Sequence, residues 1–478
     1  MFLSKTKVLL INPTFDVIRQ LGELGKLYVK ARPLGLGHLA SYLESKGIET
    51  RIIDGQISDL TEETLGKEIR EFSPNIVGIT STTALAGAAH EVAKWTKNIP
   101  KDIKVVMGGV HPTVLPEETL EDNNVDVVVR GEGEITFFEL VKAFETRTNL
   151  EDVLGISYKN NGEIVHNENR PFIKDLDSLP PVDDHALPRS LYSDYCVLTA
   201  RGCPFHCIFC SSRTVWGTRY RVRSPENVFV EIDSVVKKYS PKEIAFLDES
   251  FVINKERTEK ICDMFMERGY HKKMSWICSS RTDLVDEPLL EKMREAGCSA
   301  ISFGIETASQ RLLDILKKRT SPEINERALR MAKKAGISNV RGTFILGIPT
   351  ETREDSLATI KYAKKLPLDS AKFSIATPYP GTELYRIALS EGMHIQKDWS
   401  KLHQGVGFSD YDPVYIPKGR DAKELKRLQR KAHLEFYLSF RRIFYIPRIW
   451  DISWKDVKSW EDIRMYWRIA KSLLARRG

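Results

Sequence analysis

The sequence predicts an α/β protein in which an N-terminal doubly wound parallel sheet is followed by a partial (β/α)6 barrel and a helical C-terminal tail. Two series of short apolar runs alternate with helical stretches, and a region rich in basic and aromatic residues comes after them. At 478 residues the chain exceeds the usual size of one hydrophobic core, which favours more than one domain.

The first series occupies residues 1–145 and alternates strand with helix. Helical periodicity is evident in LGLGHLASYLESKG and in LTEETLGKEIREF, each of which lies between two apolar runs. Such alternation is typical of a parallel sheet with helices on both faces, whose ligands bind at the carboxyl ends of the strands. Five strands are predicted, at KVLLINP, ETRIIDG, NIVGITS, KVVMGGV and VDVVVRG.

Residues 146–190 are polar and contain turn signals, so we expect a hairpin followed by a linker. Pro180 and Pro181 stiffen that linker. The second series then occupies residues 191–400. Its six β/α units predict an open partial barrel with its chemistry at the carboxyl ends of the strands. These strands are predicted at YCVLTA, EIAFLDES, MSWICSS, AISFGIE, RGTFILG and AKFSIATP.

The composition is that of an ordinary globular protein, with 42% apolar and 29% charged residues. We expect a cytoplasmic protein, because no apolar run is long enough for a membrane-spanning helix or resembles a secretion signal. The formal net charge is +7, yet the segment from Arg420 to Gly478 holds 16 Lys and Arg against 7 Asp and Glu. The rest of the chain is therefore close to neutral, and no nucleic-acid partner is expected.

The string RGCPFHCIFC places Cys203, Cys207 and Cys210 on one loop directly after the first strand of the predicted barrel. This crowding suits an iron-sulfur cluster and not a disulfide framework. Cubane clusters normally take four cysteine ligands, so three would leave one iron open to an external chelate. The alternatives are three unrelated thiols or a zinc knuckle completed by His206, although zinc sites usually pair two C-x-x-C units and only one is present.

The pattern C-x-x-x-C-x-aromatic-C, with Phe209 as the aromatic residue, resembles the signature of the radical S-adenosylmethionine (SAM) superfamily. The resemblance implies a 4Fe-4S cluster on the three cysteines, with SAM bound at the remaining iron. It also implies a reducing electron donor of the flavodoxin or ferredoxin type. One-electron cleavage of SAM would give methionine and a 5′-deoxyadenosyl radical, with Phe209 packed near the adenosyl group.

Further segments at the strand ends resemble the SAM-binding segments of that superfamily. Two of their residues also have a structural alternative, Asp248 as a helix-start cap and Arg281 as a solvated side chain. The implied contacts are Asp248 and Glu249 with the methionine amino group, Ser280 with SAM at the end of the third strand, and Glu306 and Gly347 with the ribose and adenine. A guanidinium at Arg281 could pair with the methionine carboxylate.

The first series resembles the cobalamin-binding domain that precedes many radical SAM enzymes. GITSTTALAG looks like the serine loop of that domain, and GGVHPT looks like its paired glycines. The alternative is that the glycines only close a tight turn and that His111, like His38, is a structural histidine. The residues implied for cobalamin are Ser81, Thr82, Gly108, Gly109 and His111.

Residues 401–478 are predicted to be helical, basic and aromatic, with tryptophans at positions 450, 454, 460 and 467. We expect this tail to pack on its own barrel. The alternative is peripheral contact with an anionic membrane, which a basic aromatic helix also suits.

Together these features predict cobalamin-dependent methylation of an unactivated carbon through a 5′-deoxyadenosyl radical. The substrate would be a small or lipid-like molecule, and no residue is assigned to act on it directly. An alternative with the same cofactors is a radical cyclase or an oxidative rearrangement, as in the anaerobic porphyrin ring-forming enzyme. An alternative of another class is a non-catalytic cobalamin-binding or metal-binding regulator.

Overall fold

The first part of the chain forms a sheet covered by helices. The computed structural model describes residues 6–14, 32–182, 192, 195–393, 398–402 and 412–438. The strands are β1 (Lys7–Asn12), β2 (Glu49–Asp54), β3 (Ile76–Thr80), β4 (Lys104–Gly108), β5 (Val127–Val129), β6 (Ile156–Asn160) and β7 (Glu163–His166). The helices are α1 (Leu34–Ser45), α2 (Glu62–Phe72), α3 (Ala86–Lys97), α4 (Val110–Val114), α5 (Pro116–Glu121) and α6 (Gly133–Thr146).

The seven strands stand in the order β2-β1-β3-β4-β5-β6-β7. Pairing from β1 to β5 is parallel, which confirms the predicted doubly wound sheet. Each face has its own apolar core, because successive residues of a strand point to opposite sides. Val8 and Leu10 of β1 pack with α1 and α6. Leu9 and Ile11 pack with α2 and α3 on the other face.

The hairpin expected after residue 145 is part of this same sheet. Strand β6 pairs antiparallel with β5, and β7 pairs antiparallel with β6. The polar, turn-rich sequence indicated that a hairpin forms, but it contained no signal for the strand with which the hairpin pairs. The structure thus identifies β5 as the strand with which the hairpin pairs. The limits assigned to the domains, at residues 145, 190 and 400, stay predictions.

The second part of the chain forms the barrel and its covering helices. Its strands are β8 (Tyr195–Val197), β9 (Ala200–Arg201), β10 (Arg221–Val222), β11 (Glu243–Phe246), β12 (Ser275–Ser280), β13 (Cys298–Glu306), β14 (Asn339–Leu346) and β15 (Ser370–Ile375). Its helices are α7 (Ser212–Trp216), α8 (Pro225–Tyr239), α9 (Lys255–Glu267), α10 (Glu287–Glu295), α11 (Gln310–Ile315), α12 (Pro322–Lys334), α13 (Arg353–Lys365), α14 (Glu383–Ser390) and α15 (Ala422–Tyr437).

Six of these strands form one parallel sheet in the order β15-β14-β13-β12-β11-β8, which confirms the predicted partial barrel. Strand β14 shows why the sheet has two different faces. Its residues alternate strictly between buried and half-buried, and Phe344 and Leu346 belong to the core beneath the helices. The other face, which carries Thr343 and Ile345, lines the inside of the barrel.

Helix α15 satisfies the free edge of the sheet with side chains. Gln429 Nε2 donates to the Phe373 carbonyl at 2.8 Å, and the Phe373 N–H donates to His433 Nε2 at 3.4 Å. The Tyr437 hydroxyl accepts from the Ala371 N–H at 2.9 Å and donates to the Ala371 carbonyl at 2.7 Å. The spacing of four residues places all three side chains on one face of the helix. Their hydrogen bonds take the place of those that a seventh strand beside β15 would form.

This helix packs on the barrel, as we expect for the start of the tail. Residues 439–478, which include all four tryptophans on which the membrane alternative depends, lie outside the described residues. Within the described part of the chain, no helix is both long enough and apolar enough to span a bilayer.

Candidate functional site

The cysteine loop follows β9 and is anchored through its own backbone. Ile208 is 2% exposed, its N–H donates to the Leu316 carbonyl at 3.2 Å, and its carbonyl accepts from the Leu384 N–H at 2.9 Å. The Cys210 N–H donates to the Cys207 carbonyl at 3.2 Å. The fold therefore sets the path of the loop between these cysteines.

The three thiols are free and half-buried. Burial, with a smaller contribution from Glu249, raises the pKa of Cys210 to about 12. Burial also raises the pKa of Cys203. Both thiols would be protonated at neutral pH in the absence of metal, and iron would displace their protons because a coordinating thiol is deprotonated.

The arrangement fits a cubane cluster better than the zinc alternative. Among the described residues, no three His, Cys, Asp or Glu side chains converge closely enough to chelate one metal ion. A zinc knuckle that includes His206 would need such convergence. A cubane cluster would not, because each of its cysteines binds a different iron.

Asp248 is buried just beyond β11 and faces the backbone of a neighbouring segment. Its carboxylate accepts from the Thr199 N–H at 2.6 Å, from the Ala200 N–H at 3.1 Å and from the Thr199 hydroxyl. Glu249, by contrast, is exposed and adds to the effect of burial in raising the pKa of Cys203. Of the two carboxylates, Glu249 is the one available to a ligand. The SAM contact of Asp248 stays a prediction.

Arg281 and Glu306 lie near one another beside the cysteine loop. Arg281 Nη1 is 3.9 Å from the Sγ of Cys207. Glu306 has φ 67°, in the left-handed region, and its carboxylate is 2.6 Å from the ammonium group of Lys318. Both members of that pair are buried. Lys318 was missed by sequence reasoning, because it lies between two helices and no motif marks it.

The remaining residues predicted to contact SAM surround the same region. The buried Ser280 hydroxyl donates to the Arg281 carbonyl at 3.0 Å. Gly347 has φ 75° and directly follows β14, where a glycine avoids the strain of the left-handed region. Phe209 packs on an apolar cluster that includes Ile348. The structure brings these residues to the barrel mouth, and their contacts with SAM stay predictions.

Four of the residues predicted to bind cobalamin converge at the carboxyl ends of β3 and β4. The Ser81 N–H donates to the Gly108 carbonyl at 2.8 Å, and the His111 N–H donates to the Ser81 carbonyl at 3.1 Å. Gly109 has φ 98°, and a Cβ added there would lie 2.8 Å from the Ser81 carbonyl oxygen. Thr82 is exposed at the start of the turn that follows. The serine loop and the paired glycines therefore form one packed unit.

We expect Gly109→Ala to lower both the thermal stability and the corrinoid content of the protein. Gly109 has φ 98° and ψ −167°, a backbone conformation that costs a non-glycine residue about 1 to 3 kcal/mol, and the added methyl group would also push the Ser81 carbonyl away. Gly162→Ala is the matched control, because Gly162 has φ 87° but no atom within 4 Å of an added Cβ. Tm and bound corrinoid per chain would be measured for both. If the two variants lost the same amount of Tm and of bound corrinoid, the close approach of Gly109 to the Ser81 carbonyl would not be what holds this unit together.

His111 contributes unpaired polar atoms to this unit. It is 1% exposed, and neither ring nitrogen forms a hydrogen bond with any described residue. Burial, followed by the effect of His90, lowers the pKa of His111 to about 4, so the ring is neutral at neutral pH. The ring of Trp399 lies edge-on with its centroid 5.5 Å away, and the Trp399 indole N–H donates to Glu118. Nε2 of His111 lies 4.0 Å from a carboxylate oxygen of Glu118, beyond hydrogen-bond distance. A buried imidazole without a hydrogen bond between these loops fits a site for a large ligand such as cobalamin.

Buried ion pairs that sequence reasoning missed join the two parts of the chain. Glu132 contacts Arg201 at 2.9 Å and Arg221 at 2.8 Å, and Glu134 contacts Arg201 at 2.6 Å. All four side chains are buried. These contacts fix the strands that flank the cysteine loop against the turn between β5 and α6. His38 lies beside them, and burial, followed by Arg201, lowers its pKa to about 3, so its ring is neutral at neutral pH.

Comparison with known proteins identifies both parts. Residues 197–363 match the model of the radical SAM superfamily, and residues 24–141 match the model of the B12 binding domain. An uncharacterized methyltransferase of Pyrococcus horikoshii is 41% identical over 440 residues, which cover 90% of this chain and 92% of that protein. An anaerobic magnesium-protoporphyrin IX monomethyl ester cyclase of Cereibacter sphaeroides is 31% identical over 430 residues, with coverages of 87% and 68%.

A solved structure shows the same fold. The radical SAM methyltransferase TsrM of Kitasatospora setae, with cobalamin and a [4Fe-4S] cluster bound, gives a TM-score of 0.70 at 19% identity and covers 92% of this chain and 82% of that one. The predicted enzyme class and the predicted cofactors, a 4Fe-4S cluster, SAM and cobalamin, are confirmed by these matches. With both domains matched and a relative at 41% identity, the chain belongs to the radical SAM superfamily, in the group that carries an N-terminal B12-binding domain.

Proposed function

We propose that the protein is a cobalamin-dependent radical SAM methyltransferase that methylates an unactivated carbon of a small molecule. The observation that carries the proposal is the packed unit formed by Ser81, Gly109 and the unpaired His111, in the same chain as a loop of three free cysteines. The relative that is 41% identical over nearly its whole length is named a methyltransferase, which favours methyl transfer over cyclisation.

The residues of the chain then have separate tasks. Cys203, Cys207 and Cys210 hold the cluster, and the exposed carboxylate of Glu249 orients the amino group of SAM. Phe209 packs against the adenosyl group and helps to exclude water from it. When bound, the cluster supplies the electron that cleaves SAM, and cobalamin carries the methyl group.

The packed unit formed by Ser81, Gly109 and His111 would hold the corrinoid by shape and by one polar group. The close approach at Gly109 keeps the two loops together, and the neutral His111 ring can donate one hydrogen bond and accept another. A small protein of the flavodoxin or ferredoxin type would deliver the electron to the cluster. The buried ion pairs of Glu132 keep the two sites in a constant relative position.

The experiment follows the methyl carbon. The enzyme would be reconstituted anaerobically with iron, sulfide and hydroxocobalamin, which carries no methyl group, then reduced and supplied with SAM labelled with ¹³C in its methyl group and a small-molecule extract of the source organism. We expect 5′-deoxyadenosine and a product heavier than its precursor by one labelled CH₂ unit. The same product should form when a flavodoxin or a ferredoxin replaces the chemical reductant.

A radical cyclase is the second candidate, because the relative from Cereibacter sphaeroides is named a cyclase. That reaction would also release 5′-deoxyadenosine, but its product would have lost hydrogens and would contain no labelled carbon. A complete lack of 5′-deoxyadenosine in a sample with a full cluster would instead favour a binding protein and would contradict both enzymatic proposals.

A further inference from the structure

Arg281 is held over the cysteine loop by a ring and directed at a sulfur atom. Its guanidinium carbon lies 3.7 Å from the centre of the Phe205 ring, a cation–π contact. Its Nη1 is 3.9 Å from the Sγ of Cys207, within reach of an N–H to sulfur hydrogen bond. Phe205 lies between two of the cysteines, so one loop supplies both the ring and the sulfur.

The other donors of Arg281 are already engaged. Nε contacts one oxygen of Asp283 at 2.9 Å and Nη2 contacts the other at 2.8 Å, which is the two-point geometry that fixes a guanidinium group. Nη2 also donates to the Lys318 carbonyl. Only Nη1, the nitrogen that faces Cys207, has no oxygen partner among the described residues. The clamp therefore fixes the guanidinium and leaves Nη1 directed at Cys207, while the predicted contact of Arg281 with the SAM carboxylate stays a prediction.

A second cation lies close to the same sulfur. Lys318 is 6% exposed and pairs with Glu306 at 2.6 Å. Burial lowers the pKa of Lys318, but Glu306 and then Cys207 more than offset this effect, so the net shift is upward and the ammonium stays charged. An added Cβ on Gly304 would lie 2.6 Å from the Lys318 nitrogen, so a larger residue there would have to displace the pair.

We propose that Arg281 is a positioning residue that raises the reduction potential of the cluster through Cys207. Reduction adds one electron, and hence one negative charge, to a cluster that is already anionic because it carries three thiolates. A fixed cation and a hydrogen bond to a ligand sulfur both stabilise the reduced state. The electron comes from a low-potential flavodoxin or ferredoxin. It then passes to the sulfonium of SAM, whose S–C5′ bond breaks to give methionine and the 5′-deoxyadenosyl radical.

The test is a redox titration of Arg281→Gln followed by electron paramagnetic resonance of the reduced cluster. Samples would contain the full cluster and neither SAM nor a methyl acceptor, with iron counted per chain. We expect the midpoint potential to shift in the negative direction and the fraction of reduced cluster at a fixed potential to fall. Arg330→Gln is the matched control, because Arg330 is exposed, pairs with Glu326 on the outer helix α12 and has no contact with the cysteine loop. The midpoint potential of the cluster in Arg330→Gln should equal that in the unaltered protein.

Two further variants keep the proposal open to contradiction if Arg281→Gln binds no cluster. Arg281→Lys keeps the charge but cannot form the two-point contact with Asp283, and Phe205→Leu removes only the ring beneath the guanidinium. Each should give a smaller negative shift. An unchanged potential in all variants would overturn the proposal, as would a loss of SAM affinity with no shift in potential. The measurement uses no methyl acceptor, so its failure is distinguishable from a failure of the methyltransferase proposal.

Discussion

Cys207→Ala is expected to reduce the formation of 5′-deoxyadenosine to the background rate. With only Cys203 and Cys210 left, two irons of a cubane cluster would lack a protein ligand, and no other free cysteine lies on this loop. The chemistry of SAM cleavage depends entirely on that cluster, so a partial loss is not expected. The assay is chromatography of 5′-deoxyadenosine after anaerobic reconstitution, with iron and corrinoid counted per chain.

Cys262→Ala is the control for this variant. Cys262 is fully buried in the core beneath the barrel, so the substitution costs roughly 1 kcal/mol of stability and leaves the cysteine loop intact. The control should keep its cluster and its turnover. Corrinoid binding should survive in both variants, because Ser81 and Gly109 belong to a different sheet. Retained turnover in Cys207→Ala would remove the basis of the assignment.

Glu132→Ala is expected to lower the free energy of unfolding by about 3 to 5 kcal/mol, the usual cost of breaking a buried ion pair from one side. Among the described residues, the substitution leaves Arg221 with the carbonyls of Ile173 and Trp216 as its hydrogen-bond partners, and leaves Arg201 with Glu134 as its one carboxylate partner. Denaturant unfolding followed by circular dichroism would measure the loss.

Glu139→Ala provides the comparison for this effect. Glu139 also pairs with an arginine, Arg170, but its side chain is 41% exposed. Exposed pairs contribute about 0 to 1 kcal/mol, so the control should change little. If the two variants lose the same amount, the buried pairs do not hold the parts of the chain together. If Glu132→Ala loses more stability than the control, β9 and β10, which flank the cysteine loop, should also be held less firmly. The yield of cluster per chain should then fall.

The elements of the fold were predictable because their signals are local. Val127–Val129 and Asn339–Leu346 are apolar or alternating runs between turns, and each is a strand in the structure. The cysteine spacing likewise predicted a loop directly after a strand, and in the structure that loop follows β9. The paired glycines were informative because Gly109 does need a backbone that other residues avoid.

Other features depend on partners that are distant in the chain. Asp248 was predicted to contact SAM, but the Thr199 N–H donates to one of its oxygens and the Thr199 hydroxyl donates to the other, and nothing in the sequence links the two residues. Arg281 was predicted as a partner of the SAM carboxylate, and only the folded chain shows Asp283 and Phe205 around it. Charges that meet across two domains leave no periodic pattern, so the ion pairs of Glu132 could not be foreseen.

The side chains that replace a strand beside β15 have a consequence for association. An uncovered edge strand offers unpaired N–H and carbonyl groups to any other extended chain and can start aggregation. Here the groups of Ala371 and Phe373 already bond to α15. The partial barrel can therefore stay open beside β15 without offering this edge as a template for intermolecular β-pairing, because α15 already occupies its hydrogen-bonding groups.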